Sequence, residues 1–185
     1  VLEKEALAQA KAVDKNISVV IATGNSAGSS VGIEAPSCIG NATRASATDK
    51  SDIIASYAQR HANFPDILFA PGSQITTTDY QGGFSPGTGT SLSTPHIAGA
   101  IALIQQYHRL LRNVSLTPHQ LKQVLNITGK PIADAVTGIS YARIDVNATL
   151  NALDASAPLL MLITPTPAAD ATTRRTIALN VSSSE

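Results

Sequence analysis

The stretch at 87–104, GTGTSLSTPHIAGAIALI, constrains the fold more than any other. It opens on glycines and hydroxyls, passes one proline, and continues as small and apolar residues without a break. A long helix is predicted from about Ser91 to Leu111. Its apolar residues (Leu92, Ile97, Ala98, Ala100, Ile101, Leu103 and Ile104) wrap round the axis. A helix apolar on all sides belongs in the middle of a domain. Pro95 falls near the first turn, where its missing N–H costs least. Ser91 therefore marks the point where a polar loop gives way to a central helix.

The rest of the chain fits an α/β domain around such a helix. Residues 2–14, LEKEALAQAKAVD, place Leu2, Ala6, Ala10 and Val13 near the helical period, with Asn16 as a stop. Val19-Val20-Ile21-Ala22 is a β-branched run without polar alternation, as in a parallel strand covered on both faces. It ends in the polar turn Thr23-Gly24-Asn25. Weak strand signals recur at 38–48 and at Ile67-Leu68-Phe69-Ala70, stopped by Pro71-Gly72; 26–37 and 73–90 read as loops. Thr117-Pro118-His119-Gln120 opens another helix as N-cap, first residue and capping box, and Gly129 and Pro131 end it. Three assignments follow: an α/β unit over 1–154, a Pro/Ala/Thr-rich linker over 155–175, and a tail at 176–185. In that tail Ile177, Leu179 and Val181 alternate as in the first strand of a β module.

Composition removes several function classes. Lys plus Arg and Asp plus Glu are 13 each, and aromatics are 4%. Neither a basic face nor a stacking platform for nucleic acid is expected. No apolar run approaches the length of about 20 residues that crosses a bilayer. A single cysteine, Cys38, forms no intrachain disulfide and reads as a small hydrophobe. No residue cluster points to a metal or organic cofactor.

A serine hydroxyl is a poor nucleophile until a base takes its proton and donors stabilise the oxyanion. The tip of a helix supplies donors, because its first amides lack intrahelical partners and carry the positive end of the dipole. Gly89 lets a substrate backbone approach closely. Ser91 thus suits acyl transfer, although Ser and Thr are also ordinary N-caps. Two rival motifs fail on their letters. Gly89-Thr90-Ser91-Leu92 continues with Ser93 where a nucleophile elbow needs glycine. Gly82 to Gly87 has the spacing of a phosphate loop, but Thr88 stands where the lysine belongs.

A third pattern fits. Gly89-Thr90-Ser91-Leu92-Ser93-Thr94-Pro95-His96-Ile97-Ala98-Gly99 resembles the nucleophile signature of the subtilisin-like serine peptidases. Val19 to Asn25 resembles the strand that carries that family's oxyanion asparagine, and Phe69-Ala70-Pro71-Gly72 its Ala-Pro-Gly turn. The resemblance runs over about 1–154. It implies a three-layer α/β/α fold with a mostly parallel sheet, here a partial domain. It implies a serine endopeptidase with Ser91 as nucleophile and Asn25 as oxyanion donor, and protein or peptide substrates. Substrate contacts would come from Ala22, Thr23, Gly24, Gly89 and Thr90. Asn25 has the simpler reading of a turn residue beside Gly24.

The resemblance further implies a secreted or extracytoplasmic, monomeric enzyme, with structural calcium frequent in the family. His96, five residues beyond Ser91, points about 140° away round the helix and is expected to be structural. The family's catalytic Asp and His motifs do not occur, and His61, His108 and His119 lie in unrelated contexts. The sequence begins at Val1, inside what reads as a helix, so these groups are expected upstream. A catalytically inactive homologue serving as a binding or structural module is the alternative. Leu92, Ser46 and Thr88 depart from the usual family residues. Glu34 is a candidate for a preference for basic side chains in the first substrate pocket. Asn16, Asn41, Asn113, Asn126, Asn147 and Asn180 each begin an Asn-x-Ser/Thr triplet, for which chance is the first explanation in a chain rich in Ser and Thr.

Overall fold

The computed structural model describes residues 2–27 and 32–155. Of the expected linker, Ala155 is described and ends a helix; residues 156–175 and the tail lie outside the described residues. Helix α1 spans Leu2–Asp14. It ends where expected, because Asn16 takes a left-handed φ of 61° and Ile17 N–H donates back to Ala12 O at 2.9 Å. Strands β1 (Val20–Ala22), β2 (Thr43–Thr48) and β3 (Leu68–Pro71) follow. A hairpin of β4 (Ile75–Thr78) and β5 (Phe84–Gly87) precedes α2 (Thr90–Arg112). Then come α3 (Pro118–Thr128), β6 (Lys130–Ala133), β7 (Ser140–Arg143) and α4 (Val146–Ala155).

Five strands form one sheet in the order β1-β2-β3-β7-β6. All neighbours are parallel except β6 and β7. The fold is therefore α/β with a mostly parallel sheet. Side-chain alternation on β3 sends Leu68 and Ala70 into one core with Ile97, Ile101 and Ile104 of α2 and Leu121 and Leu125 of α3. Ile67 and Phe69 face the other way, against Ile132, Tyr141, Ile33 and Phe64. Helices α2, α3 and α4 thus share one face, and the irregular chain between β1 and β3 covers much of the other. Because the strands are parallel, the turns after β1 and β3 emerge at one edge of the sheet, where α2 begins. Such an edge is where open α/β sheets bind ligands.

Three local expectations are revised. The segment 73–90 is not all loop. Thr76, Thr77 and Thr78 pair with Phe84, Ser85 and Pro86, and both strands of this hairpin are largely exposed, so no apolar alternation marks them. Pro131 does not merely stop α3; it sits in β6, an edge strand, where its missing N–H breaks no ladder. Finally, α2 is not covered all round. Ile97, Ala100, Ile101 and Ile104 are buried, while Ala98, Gly99 and Leu103 are exposed among the described residues.

Strand β2, TRASAT, is buried at every position despite its polarity. Arg44 accounts for this. Its Nε donates to Ser37 O at 2.8 Å, one Nη to both oxygens of Asp66, and the other Nη to Ile39 O at 3.2 Å. Its guanidinium also lies 4.6 Å from the centre of the Phe64 ring. Each of the three nitrogens of the buried cation donates, and a carboxylate partners its charge, which is the condition for burying it.

Candidate active site

The site is assembled at the amino end of α2. The N-cap is Gly89, and no side chain caps the helix. Ser91 is thus the second helical residue, and neither it nor Thr90 serves as N-cap. No acid occupies the first turn, so the positive end of the dipole is left uncompensated. Loop and helix are held from below. Gly89 N–H donates to Gly72 O at 2.9 Å, and Ser93 Oγ donates to Ala70 O at 2.9 Å. Gly72 admits this contact because it lacks a side chain: a Cβ there would meet Ser93 Oγ, and would lie 2.7 Å from Ala47 Cβ and 2.8 Å from Gly89 O. The Ala-Pro-Gly turn is therefore the seat of the loop that leads into Ser91.

Asn25 reaches the same place from β1. Its Oδ1 accepts Thr90 N–H at 2.8 Å and the Thr90 hydroxyl at 3.0 Å. These bonds cross 65 positions of sequence, so the side chain closes no local turn. The Thr90 hydroxyl accepts Gly24 N–H at 3.3 Å in turn. With Oδ1 engaged by two donors, Nδ2 is turned toward Ser91. A Cβ built on Gly89 would stand 3.1 Å from Ser91 Oγ and 3.3 Å from Asn25 Nδ2. A hydroxyl and an amide donor therefore flank the face of Gly89 that has no side chain, which leaves both open to a carbonyl approaching over it. The backbone N–H of Ser91 is one of the first-turn amides without an intrahelical acceptor.

Ser91, Asn25, Gly89 and Gly24 are thus brought together. Ala22 ends β1 behind them, half-buried. Thr23 and Thr90 are fully buried, which turns their side chains away from the open surface and leaves any substrate contact to their backbone. Thr90 instead orients Asn25, and the Thr23 carbonyl accepts Glu34 N–H at 2.9 Å.

Sequence reasoning also missed Gln59. It is buried; its Oε1 accepts Ser26 N–H at 3.3 Å, and its backbone N–H donates to Gly24 O at 3.1 Å. Ser46 Oγ, at a position where the family favours glycine, donates to the Gln59 carbonyl at 3.0 Å. No motif marks Gln59; its partners are scattered along the chain.

Gly24 has a φ of 111°, and a Cβ there would collide with Gln59 Oε1 and lie 2.6 Å from Glu34 Cδ. Glu34 therefore stands directly beside Gly24. Its Oε1 accepts Ser26 Oγ–H at 3.0 Å. Among the described residues no cation pairs with it.

The histidines lie elsewhere. The His96 ring donates from Nδ1 to Leu92 O at 2.8 Å on its own helix. His61 Nδ1 accepts Asn63 N–H, and His108 is buried with Nδ1 on Val114 O. None of the described residues supplies a base hydrogen-bonded to Ser91. Nor do the described residues hold a group of three or more His, Cys, Asp or Glu fit to ligate a metal.

A sequence model of the subtilase family matches residues 3–153. The chain belongs to the subtilase family. The match spans the elements that carry Asn25, Gly72 and Ser91. This subtilase is 37% identical to subtilisin BL of Lederbergia lenta over 108 residues, which cover 58% of the chain and 39% of subtilisin BL. It is 32% identical to the extracellular protease of Xanthomonas campestris pv. campestris over 134 residues, 69% of the chain and 22% of that protein. The chain therefore matches well under half the length of these relatives. Among solved structures, the patellamide maturation protease PatA is similar, with a TM-score of 0.72 and 21% identity over 81% of this chain and 56% of PatA. That likeness bears on the fold. No helix among the described residues is long and apolar enough to cross a membrane.

Proposed function

We propose that this subtilase is a serine endopeptidase whose Ser91 Oγ attacks the carbonyl of a bound peptide. The observation that carries the reading is that Ser91 Oγ and Asn25 Nδ2 flank the face of Gly89 that a side chain would fill, 3.1 Å and 3.3 Å from where its Cβ would stand. A substrate carbonyl lying over that open face presents its carbon to Ser91 Oγ, which forms the new bond, and its oxygen to Asn25 Nδ2 and the Ser91 N–H. A neutral amide stabilises the growing charge without changing its own protonation. The proton of Ser91 goes to an imidazole and then to the leaving amine, and water later releases the acyl group. The histidine and its carboxylate are supplied from outside the 185 residues, since His61, His96, His108 and His119 have other engagements or other locations. The enzyme acts as a monomer on protein or peptide substrates, and it does so outside the cell, a location supported by its extracellular relative.

Glu34 deepens this reading. Its carboxylate stands beside Gly24, next to Asn25, and is free of cations among the described residues. It favours substrates with a lysine or arginine side chain lodged against Gly24.

A fluorophosphonate probe applied to the full-length gene product tests the proposal. Labelling confined to Ser91, lost in Ser91→Ala, is the expected result. A full-length protein that stays unlabelled while folded would instead be an inactive homologue acting as a binding module. Labelling of another hydroxyl would overturn the assignment.

A further inference from the structure

We infer that this protein carries N-linked oligosaccharides at Asn16, Asn41 and Asn113, on the end of the domain remote from Ser91. The first observation is a count. The chain has nine asparagines, and roughly one residue in five is Ser or Thr. Random order would place a hydroxyl residue two positions after about two of the nine, within the Asn-x-Ser/Thr rule. Six of the nine have one, and the middle residue is always Ile, Ala or Val, never Pro. Abundance of Ser and Thr therefore does not account for the triplets.

The structure supplies the second observation. Asn16, Asn41 and Asn113 are exposed, and each lies in a turn or at a helix end. Their side-chain amides make no hydrogen bond among the described residues, so each amide nitrogen is open to modification. Asn25 is the contrast. It is held by Thr90, it is needed at the site, and it is followed by Ser26-Ala27, which is no acceptor triplet. Asn63 and Asn151, the other asparagines outside triplets, are followed by Phe64-Pro65 and Ala152-Leu153.

Topology supplies the third. Asn16 precedes β1 and Asn41 precedes β2, so both sit at the edge where the parallel strands begin. Asn113 caps the far end of α2, whose 23 residues carry it about 34 Å from the Ser91 end at 1.5 Å per residue. All three are at the opposite end of the sheet from the point above Gly89. Bulky sugars there leave substrate access open and cover chain turns that a peptidase would otherwise expose to its own kind. Asn126 and Asn147 lie instead in α3 and α4, and Asn180 is outside the described residues.

The chemistry is a transfer from a lipid pyrophosphate-linked oligosaccharide. The amide Nδ2 forms a bond to the sugar C1, the C1–O bond to pyrophosphate breaks, and the amide proton leaves with the lipid pyrophosphate product. The reaction belongs to secretory compartments, and the inference rests on export, not on catalysis at Ser91.

The test takes the full-length protein secreted by its own cells and digests it with a peptide N-glycosidase in oxygen-18 water. Heavy aspartate at 16, 41 and 113, with Asn25 and Asn63 unchanged, is the expected result. Unmodified peptides at all three positions would overturn the inference, and sugar confined to Asn126 or Asn147 would overturn its placement. Asn16 and Asn113 have φ of 61° and 55°, so the variants of choice are Asn16→Asp, Asn41→Asp and Asn113→Asp, which tolerate that conformation and accept no sugar. Each variant should lose one step in electrophoretic mobility while Ser91 labelling is retained. A variant with wild-type mobility removes that position from the assignment.

Discussion

Thr90 holds Asn25 by two bonds to one oxygen, 2.8 Å from its N–H and 3.0 Å from its hydroxyl, while that hydroxyl accepts Gly24 N–H. Thr90 thus decides which end of the Asn25 amide is left open beside Ser91. Thr90→Val keeps the shape and the backbone bond and removes the hydroxyl. The amide then loses one anchor, and the buried Gly24 N–H loses its acceptor, a defect worth about 1–3 kcal/mol of stability. The expected outcome is a kcat about tenfold lower with little change in KM, equal to about 1.4 kcal/mol of barrier. Thr90→Ser should restore most of it. A Thr90→Val enzyme with wild-type kcat, or a Ser variant no better than Val, would show that Thr90 does not position Asn25.

Gly89→Ala removes no catalytic atom, yet its methyl occupies the point 3.1 Å from Ser91 Oγ and 3.3 Å from Asn25 Nδ2. Those contacts are tight, and the φ of 157° strains any residue with a side chain there, so a thermal melt beside wild type must first show that the variant is folded. Fluorophosphonate labelling should fall at least as far as in Asn25→Ala, where loss of one oxyanion donor costs about a hundredfold or more, the size such a donor has in subtilisin itself. Equal labelling rates in Gly89→Ala and wild type would place the reacting carbonyl somewhere else.

The helix α2, its start at Ser91 within one residue, and the capping box at Thr117 were legible in the sequence because each rests on local chemistry. Thr117 Oγ1 accepts Gln120 N–H and Gln120 Oε1 accepts Thr117 N–H, both three positions apart. What escaped is non-local. The burial of β2 depends on Arg44 finding Asp66, 22 positions on. The role of Thr90 depends on a partner 65 positions back, and that of Gln59 on Ser26, 33 positions back. Beside a nucleophile, a threonine looks like a cap or a substrate contact until the strand that carries Asn25 is laid against it.

Glu34 should set part of the substrate preference. Its carboxylate stands beside Gly24 and is exposed, so its pull on a lysine or arginine side chain is screened and modest. Glu34→Gln is expected to lower kcat/KM for Lys and Arg substrates several-fold relative to Leu or Phe substrates. The difference should shrink as salt is raised. An unchanged ranking among Lys, Leu and Phe peptides would remove Glu34 from specificity.

Acid stability should report on Asp134. Its carboxylate is buried and accepts Arg60 Nε and an Arg60 Nη, both at 2.9 Å, with Thr137 Oγ1 at 2.7 Å and Val136 N–H at 3.2 Å. The Arg60 hydrogen bonds outweigh the cost of burial and hold its pKa at about 2, below the ordinary 3.8. A depressed native pKa means that the unfolded chain takes up the proton first as pH falls. The contribution of this group is therefore complete above about pH 4 and is lost between about pH 4 and pH 2, and it amounts to about 2 kcal/mol. Asp66 and Asp52 are lowered too and add to the same slope. Asp134→Asn leaves Arg60 buried without its carboxylate, so the variant should be less stable at pH 7 by about 3–5 kcal/mol. It should also lose less further stability on going to pH 2 than wild type does. Urea unfolding of the full-length protein at several pH values measures both. Parallel pH profiles for the two proteins would mean that the Arg60–Asp134 pair does not carry this part of the acid response.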